Sequence, residues 1–200
     1  MKRSISTFLI LLSLILLAGC GARYPAETST GEPWDKSWEI LGSVLGVEEL
    51  GGDFTLLDNN AILTTQDTYL ATWVCGEAKD FVNAEGADAD LYEAELFVLL
   101  QGCKDEENAQ LAIDAWMELA RESYDFSEPR TEVYNGQAYT VLTYTVDSET
   151  NPYCRGVSAF AVFENYAVNA EITCAPTYSG DEAAILADFL GGCHYAAADK

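Results

Sequence analysis

The chain has 200 residues, with 33 Asp and Glu against 10 Lys and Arg, a formal charge of −23 and a pI near 4.1. That balance excludes a surface that grips nucleic-acid phosphates, which needs dense Lys and Arg. Disorder is excluded too, because 49% of the chain is apolar and 12% aromatic, enough to build a core in one domain or in two similar halves.

The first segment is a leader. Lys2 and Arg3 precede an apolar run over 5–17, too short to span a bilayer and typical in length of a signal-peptide core. The run ends at Leu17-Ala18-Gly19-Cys20. This sequence resembles the lipobox of bacterial lipoproteins. The resemblance covers about the first 20 residues and implies that 1–19 are removed and that Cys20 becomes the lipidated first residue. Diacylglyceryl and palmitate-type chains would then hold the protein to a membrane, at about 0.8 kcal/mol per buried methylene. Loss of Lys2 and Arg3 takes the formal charge from −23 to −25. Lipid would retain such a domain at an anionic surface that repels it.

Residues 20–32 read as the lipidated cysteine and a short polar tether, and 33–195 as an acidic domain before a tail at 196–200. Pro33 suits the first turn of a helix. Trp34, Trp38, Leu41, Val44 and Leu45 would form its apolar face, with Gly42 and Gly46 close-packing beside them, until Gly51-Gly52 ends it.

Short strands are predicted at 54–57 and 61–65 around a turn at Asp58-Asn59-Asn60, then at 69–75 and 91–100 around a reversal centred on Ala89. From Lys104 to Glu122 the period changes. Leu111, Ala112, Ala115, Trp116, Leu119 and Ala120 make a helical stripe, with Asp105 as N-cap and Glu106 and Glu107 in the first turn. The second half predicts one or two strands over 132–146 with a turn at Asn135-Gly136. A hairpin of 155–163 and 166–174 over Glu164-Asn165 follows, then a helix opened by a Ser179/Glu182 capping box and closed by Gly191-Gly192. Both halves read strand, strand, helix. A weak β-β-α duplication and an unrelated recurrence both account for that.

Beyond Cys20 the cysteines are Cys75, Cys103, Cys154, Cys174 and Cys193. A translocated domain can oxidise them. A reversal at Ala89 would bring Cys75 opposite Cys103, and the hairpin over Glu164-Asn165 would bring Cys154 beside Cys174. Two disulfides tying hairpin ends are expected from this, with Cys193 unpaired; Cys174–Cys193 bracketing the last helix is the rival pattern. No CxxC or HxxxH spacing supports a metal, and neither metal nor cofactor is predicted.

His194 is the only histidine, and adjacency to Cys193 does not make a catalytic pair. No GxSxG, phosphate loop or dinucleotide fingerprint is present. Asp58 with Asn59 and Asn60, or Asp88 with Asp90, would gather calcium weakly or simply shape turns. Tyr92, Tyr134, Tyr139, Tyr144, Tyr153 and Tyr166 lie in or beside strands, where tyrosine serves either a recognition face or a core edge.

The resulting expectation is an α+β domain, an antiparallel sheet with two or three packed helices. Its function is expected to be that of a membrane-anchored extracytoplasmic lipoprotein of the cell envelope, binding an extracellular protein or small ligand without catalysis. The alternatives are a carboxylate-based hydrolase and a structural envelope protein with weak calcium binding. Paired, partly buried carboxyls in a cleft would favour the hydrolase; an exposed aromatic patch would favour binding.

Overall fold

The computed structural model describes residues 53–63, 68–82, 88–122, 124–146 and 152–193. The expected leader, Cys20, the expected tether, the helix expected from Pro33, His194 and residues 196–200 lie outside them. The described elements are strands β1 (Phe54–Leu63), β2 (Thr68–Cys75), β3 (Lys79–Val82), β4 (Asp88–Leu91) and β5 (Ala94–Gly102), then helix α1 (Glu106–Arg121). Strands β6 (Asp125–Phe126), β7 (Arg130–Tyr134), β8 (Gln137–Thr145), β9 (Arg155–Phe163) and β10 (Tyr166–Cys174) follow, and helix α2 (Glu182–Gly192) closes the series.

Eight strands form one continuous antiparallel sheet in the order β1-β2-β5-β10-β9-β8-β6, with β7 also paired to β8. The fold is therefore α+β, as expected, with two helices among the described residues. β3 and β4 make a separate two-stranded ribbon. The central strands β5 and β10 are buried on both faces, so they read as nearly unbroken apolar runs rather than alternations.

The two helices cover opposite faces of the sheet. α1 packs on β9 and β10, burying Ala109, Ala112, Ile113 and Trp116 against Leu99, Leu142, Phe160 and Ala167. α2 brings Leu186, Phe189 and Leu190 to the other face, where Phe189 meets Trp73 at 5.1 Å between ring centroids. The strand order around the β5/β10 centre is similar on each side. A two-fold axis normal to the sheet would place both helices on one face, so the opposite placement gives the duplication reading no support.

Several local expectations hold. Asp105 caps α1 by accepting from the Asn108 amide at 2.9 Å. Asn135 (φ 45°) and Gly136 (φ 82°) turn β7 into β8, and Glu164 (φ 50°) begins the β9–β10 turn. Others are corrected. Asp58-Asn59-Asn60 is no turn: β1 runs straight through it and absorbs the irregularity as register shifts between Leu56 and Asp58 and between Ala61 and Leu63. The N-cap of α2 is Asp181, whose carboxylate accepts from the Ala184 amide at 3.0 Å, while Ser179 is exposed. Accordingly, Asp181→Ala should cost about 1 kcal/mol in a urea melt and Ser179→Ala only a few tenths.

The cysteines also need correction. Cys75 faces Ala94, because the β3–β4 ribbon carries the reversal and shifts the β2/β5 register away from one centred on Ala89. Cys103 sits beyond the far end of β5, about 30 Å from Cys75 at the rise of an extended strand. That span forbids a disulfide. The rival Cys174–Cys193 pairing meets a similar obstacle: Glu182 at the start of α2 is tied to Arg155, which faces Cys174, while Cys193 follows the last turn about 16 Å along the helix, where its carbonyl accepts from the Asn135 side chain. Cys154 and Cys174 are neighbours: the Cys154 amide donates to the Cys174 carbonyl at 2.9 Å, with the Cys154 thiol 3.6 Å from the same oxygen.

Candidate functional site

Alternation along the strands and the ladder register fix which side chains share the α1 face. β10 presents Ala167, Asn169, Glu171 and Thr173; β5 presents Glu95, Phe97, Leu99 and Gln101. β9 adds Gly156, Ser158 and Phe160, and β8 adds Leu142 and Tyr144. Two carboxyls therefore lie on one face of adjacent central strands. Glu171 is directly opposite Phe97 and Glu95 opposite Thr173, which makes the two glutamates diagonal neighbours.

Both are sealed: Glu171 is 5% exposed and Glu95 2%. Tyr144 donates its hydroxyl to Glu171 Oε1 at 2.5 Å, and Ser158 donates to Oε2 at 2.9 Å. The Asn169 side chain hydrogen-bonds the same carboxyl. Tyr153 donates to Glu95 Oε1 at 2.5 Å and accepts from the Tyr92 amide at 3.4 Å. Burial pushes the Glu171 carboxyl above the usual carboxylate range, against the opposing pull of its three hydrogen-bonding partners. Burial and the neighbouring glutamates push the Tyr144 and Tyr153 hydroxyls well above the ordinary phenol range.

The geometry depends on a glycine. Gly156 stands between Tyr144 on β8 and Thr173 on β10. A Cβ there would collide with the Tyr144 ring and hydroxyl and lie 2.5 Å from the Ile172 carbonyl oxygen. The missing side chain lets the Tyr144 ring cross over β9 to reach Glu171. Tyr124, just after α1, stacks on Tyr144 with centroids 4.8 Å apart, and Phe126 closes the group edge-on at 5.3 Å. The layer is thus roofed by aromatics at the C-terminal end of α1.

Chemically, the arrangement holds carboxyl oxygens against hydroxyl and amide donors in a dry place. It lacks the open approach that a nucleophile or a general acid needs toward a substrate. Among the described residues no cluster of three or more His, Cys, Asp or Glu is arranged to hold a metal. Asp58 lies within a strand, so the turn expected to gather calcium there is not formed.

The tyrosines singled out in the sequence are mostly interior. Tyr92, Tyr139, Tyr144, Tyr153 and Tyr166 are buried and Tyr134 is half-buried. Tyr134 donates to Glu132, which also pairs with Arg130 along β7, and its hydroxyl is pushed up to about 12, chiefly by burial. Sequence reading passes over Glu95 and Glu171 altogether. Their signal is their place in two apolar runs, AELFVLLQG and YAVNAEITC, where a strand covered on both sides leaves an acid nowhere exposed.

A second polar assembly lies at the start of β9. Arg155 bonds Glu182 at 3.1 Å and donates to the Tyr178 carbonyl at 2.8 Å, tying β9 to the first turn of α2. The nearby Cys174 thiol is pushed up to about 12, mainly by burial. Among the described residues the exposed large apolar ones are Leu56 and Leu57 on β1, Val82 on β3 and Val133 on β7. Among the described residues no helix is long and apolar enough to cross a membrane.

No family model matches the chain, and no curated protein matches it in sequence. Among solved structures it is similar to the extracellular domain of PknH from Mycobacterium tuberculosis, at 10% identity and a TM-score of 0.45, over 80% of this chain and 97% of that one.

Proposed function

We propose that the protein is a lipoprotein anchored outside the cytoplasm through Cys20, and that its folded domain binds an extracellular protein or small ligand without catalysis. The lipobox-like Leu17-Ala18-Gly19-Cys20 supports the anchor. The sealed state of Glu95 and Glu171 supports the non-catalytic reading. A carboxylate hydrolase needs its acid and its base or nucleophile to flank the scissile bond, and these two carboxyls are already bound by tyrosine and serine hydroxyls. In an oxidising compartment we further infer a Cys154–Cys174 disulfide, supported by the adjacency of the two residues.

The test is expression of the full chain in a bacterium fed an alkyne fatty acid. The wild type should incorporate the label and partition into the detergent phase. Cys20→Ala should lose nearly all of both. Label retained by Cys20→Ala would overturn the anchor. Hydrolysis of glycoside or ester substrates that disappears in Glu171→Gln would overturn the non-catalytic reading.

A further inference from the structure

α1 rests on β9 and β10. One helix covers about two strands, because helices pack about 8–10 Å apart and strands about 4.8 Å. The same face continues onto β5 and β2, where Val74, Thr72 and Leu70 stand opposite Glu95, Phe97 and Leu99. This half is covered as well: Phe97 is 2% exposed and Val74 5%, with Leu70 and Thr72 half-buried. Leu70 and Leu99 pack with the α1 group, and Tyr153 closes over Glu95. The β3–β4 ribbon is a poor cover for Val74, since three of the four β3 residues are exposed. The burial of Val74 and Phe97 therefore calls for a second helix-width of chain beside α1.

Length and pattern select the segment that can supply it. Outside the described residues and beyond the leader, 64–67, 83–87, 147–151 and 194–200 are each seven residues or fewer, whereas 33–50 is long and striped. Trp34, Trp38, Leu41 and Leu45 recur at i, i+4, i+7 and i+11, one face of a helix. At 1.5 Å per residue, a helix over 34–50 would be about 25 Å long, and the eight residues of β2 run about 27 Å. The point of entry fits too. β1 begins at Phe54, opposite Cys75 and so at the Val74 end of the β2–β5 pair. Asp53 has φ 62°, the left-handed conformation in which chains commonly leave a helix.

We propose that residues 34–45 dock as an amphipathic helix on the β2–β5 half of the α1 face, alongside α1. The stripe of Trp34, Trp38, Leu41 and Leu45 would turn toward Val74 and Phe97, and Gly42 would let the helix approach the sheet closely. The chain before Trp34 then leaves the domain at the Gln101 end of β5, opposite the end that carries the β3–β4 ribbon. If Cys20 carries lipid, as proposed above, the domain is held by that end. The docking itself does not depend on the lipid.

Photo-cross-linking in the full chain tests the docking. Benzoylphenylalanine in place of Trp38 should cross-link within its own chain to peptides of β2 or β5. In place of Ser43, on the opposite side of such a helix, it should not. The pattern should persist in Cys20→Ala, which separates this test from that of the anchor. Cross-links from position 38 to a second copy, to other elements only, or to nothing would overturn the proposal. Hydroxyl-radical footprinting of Leu45→Asp is a second check. Oxidation of Phe97 should rise about fivefold or more, while Leu96 and Val98 on the α2 face change less than about twofold. An unchanged Phe97, or an equal rise at all three residues, would overturn the proposal.

Discussion

Gly156→Ala should destabilise the domain by about 3 kcal/mol, an overpacking cost at the upper end of the usual range. The added methyl meets an immovable neighbour on one side, the Ile172 carbonyl, and the Tyr144 ring on the other. The ring is the part that can give. If it moves, its hydroxyl leaves Glu171 and its face leaves Tyr124, so the damage spreads from one methyl to the packing at the end of α1. A denaturant melt should show the lost stability, and near-ultraviolet circular dichroism should show the changed tyrosine environment. A melt within 1 kcal/mol of the wild type would contradict the close packing described at Gly156.

Glu171→Ala and Glu171→Gln should separate widely at neutral pH. The alanine variant leaves the Tyr144 and Ser158 hydroxyls buried without their acceptor, at about 1–3 kcal/mol for each unsatisfied group, and opens a small void beneath α1. The glutamine variant keeps the acceptor and the volume. Its amide can donate to Ser158 Oγ. It also removes the tendency to ionise in a buried place, so its stability at pH 7 should equal or exceed that of the wild type. Urea melts at pH 5 and pH 8 give both numbers. A glutamine variant as weak as the alanine one would mean that the carboxyl is held as an anion.

What the sequence reveals here follows the range of each signal. α1 is legible because its stripe, its Asp105 cap and its acidic first turn are contained in one short window. The β9–β10 hairpin is legible because Glu164-Asn165 is a compact turn between two apolar runs. The β2/β5 register is not, because the small β3–β4 ribbon displaces the reversal and with it every facing pair, Cys75 included. The Asp58-Asn59-Asn60 triplet has turn chemistry, yet pairing with β2 holds it extended. Glu171 is hidden by number: in a chain with 33 acids, one more carboxylate carries no mark of its own. Only the knowledge that β10 is covered on both faces makes it unusual, and that is a property of the assembled sheet.

The two ends of that sheet have a consequence for crowded copies. On one side β1 shifts register twice along its length, and on the other the strand beside β8 is divided between β6 and β7. A long, flat, uninterrupted outer strand is a template on which a neighbouring molecule can add its own strand. Among the described residues neither margin offers one. Molecules set side by side on a single surface would meet through irregular borders and repelling acidic faces, and growth of the sheet from one copy into the next is disfavoured at both ends.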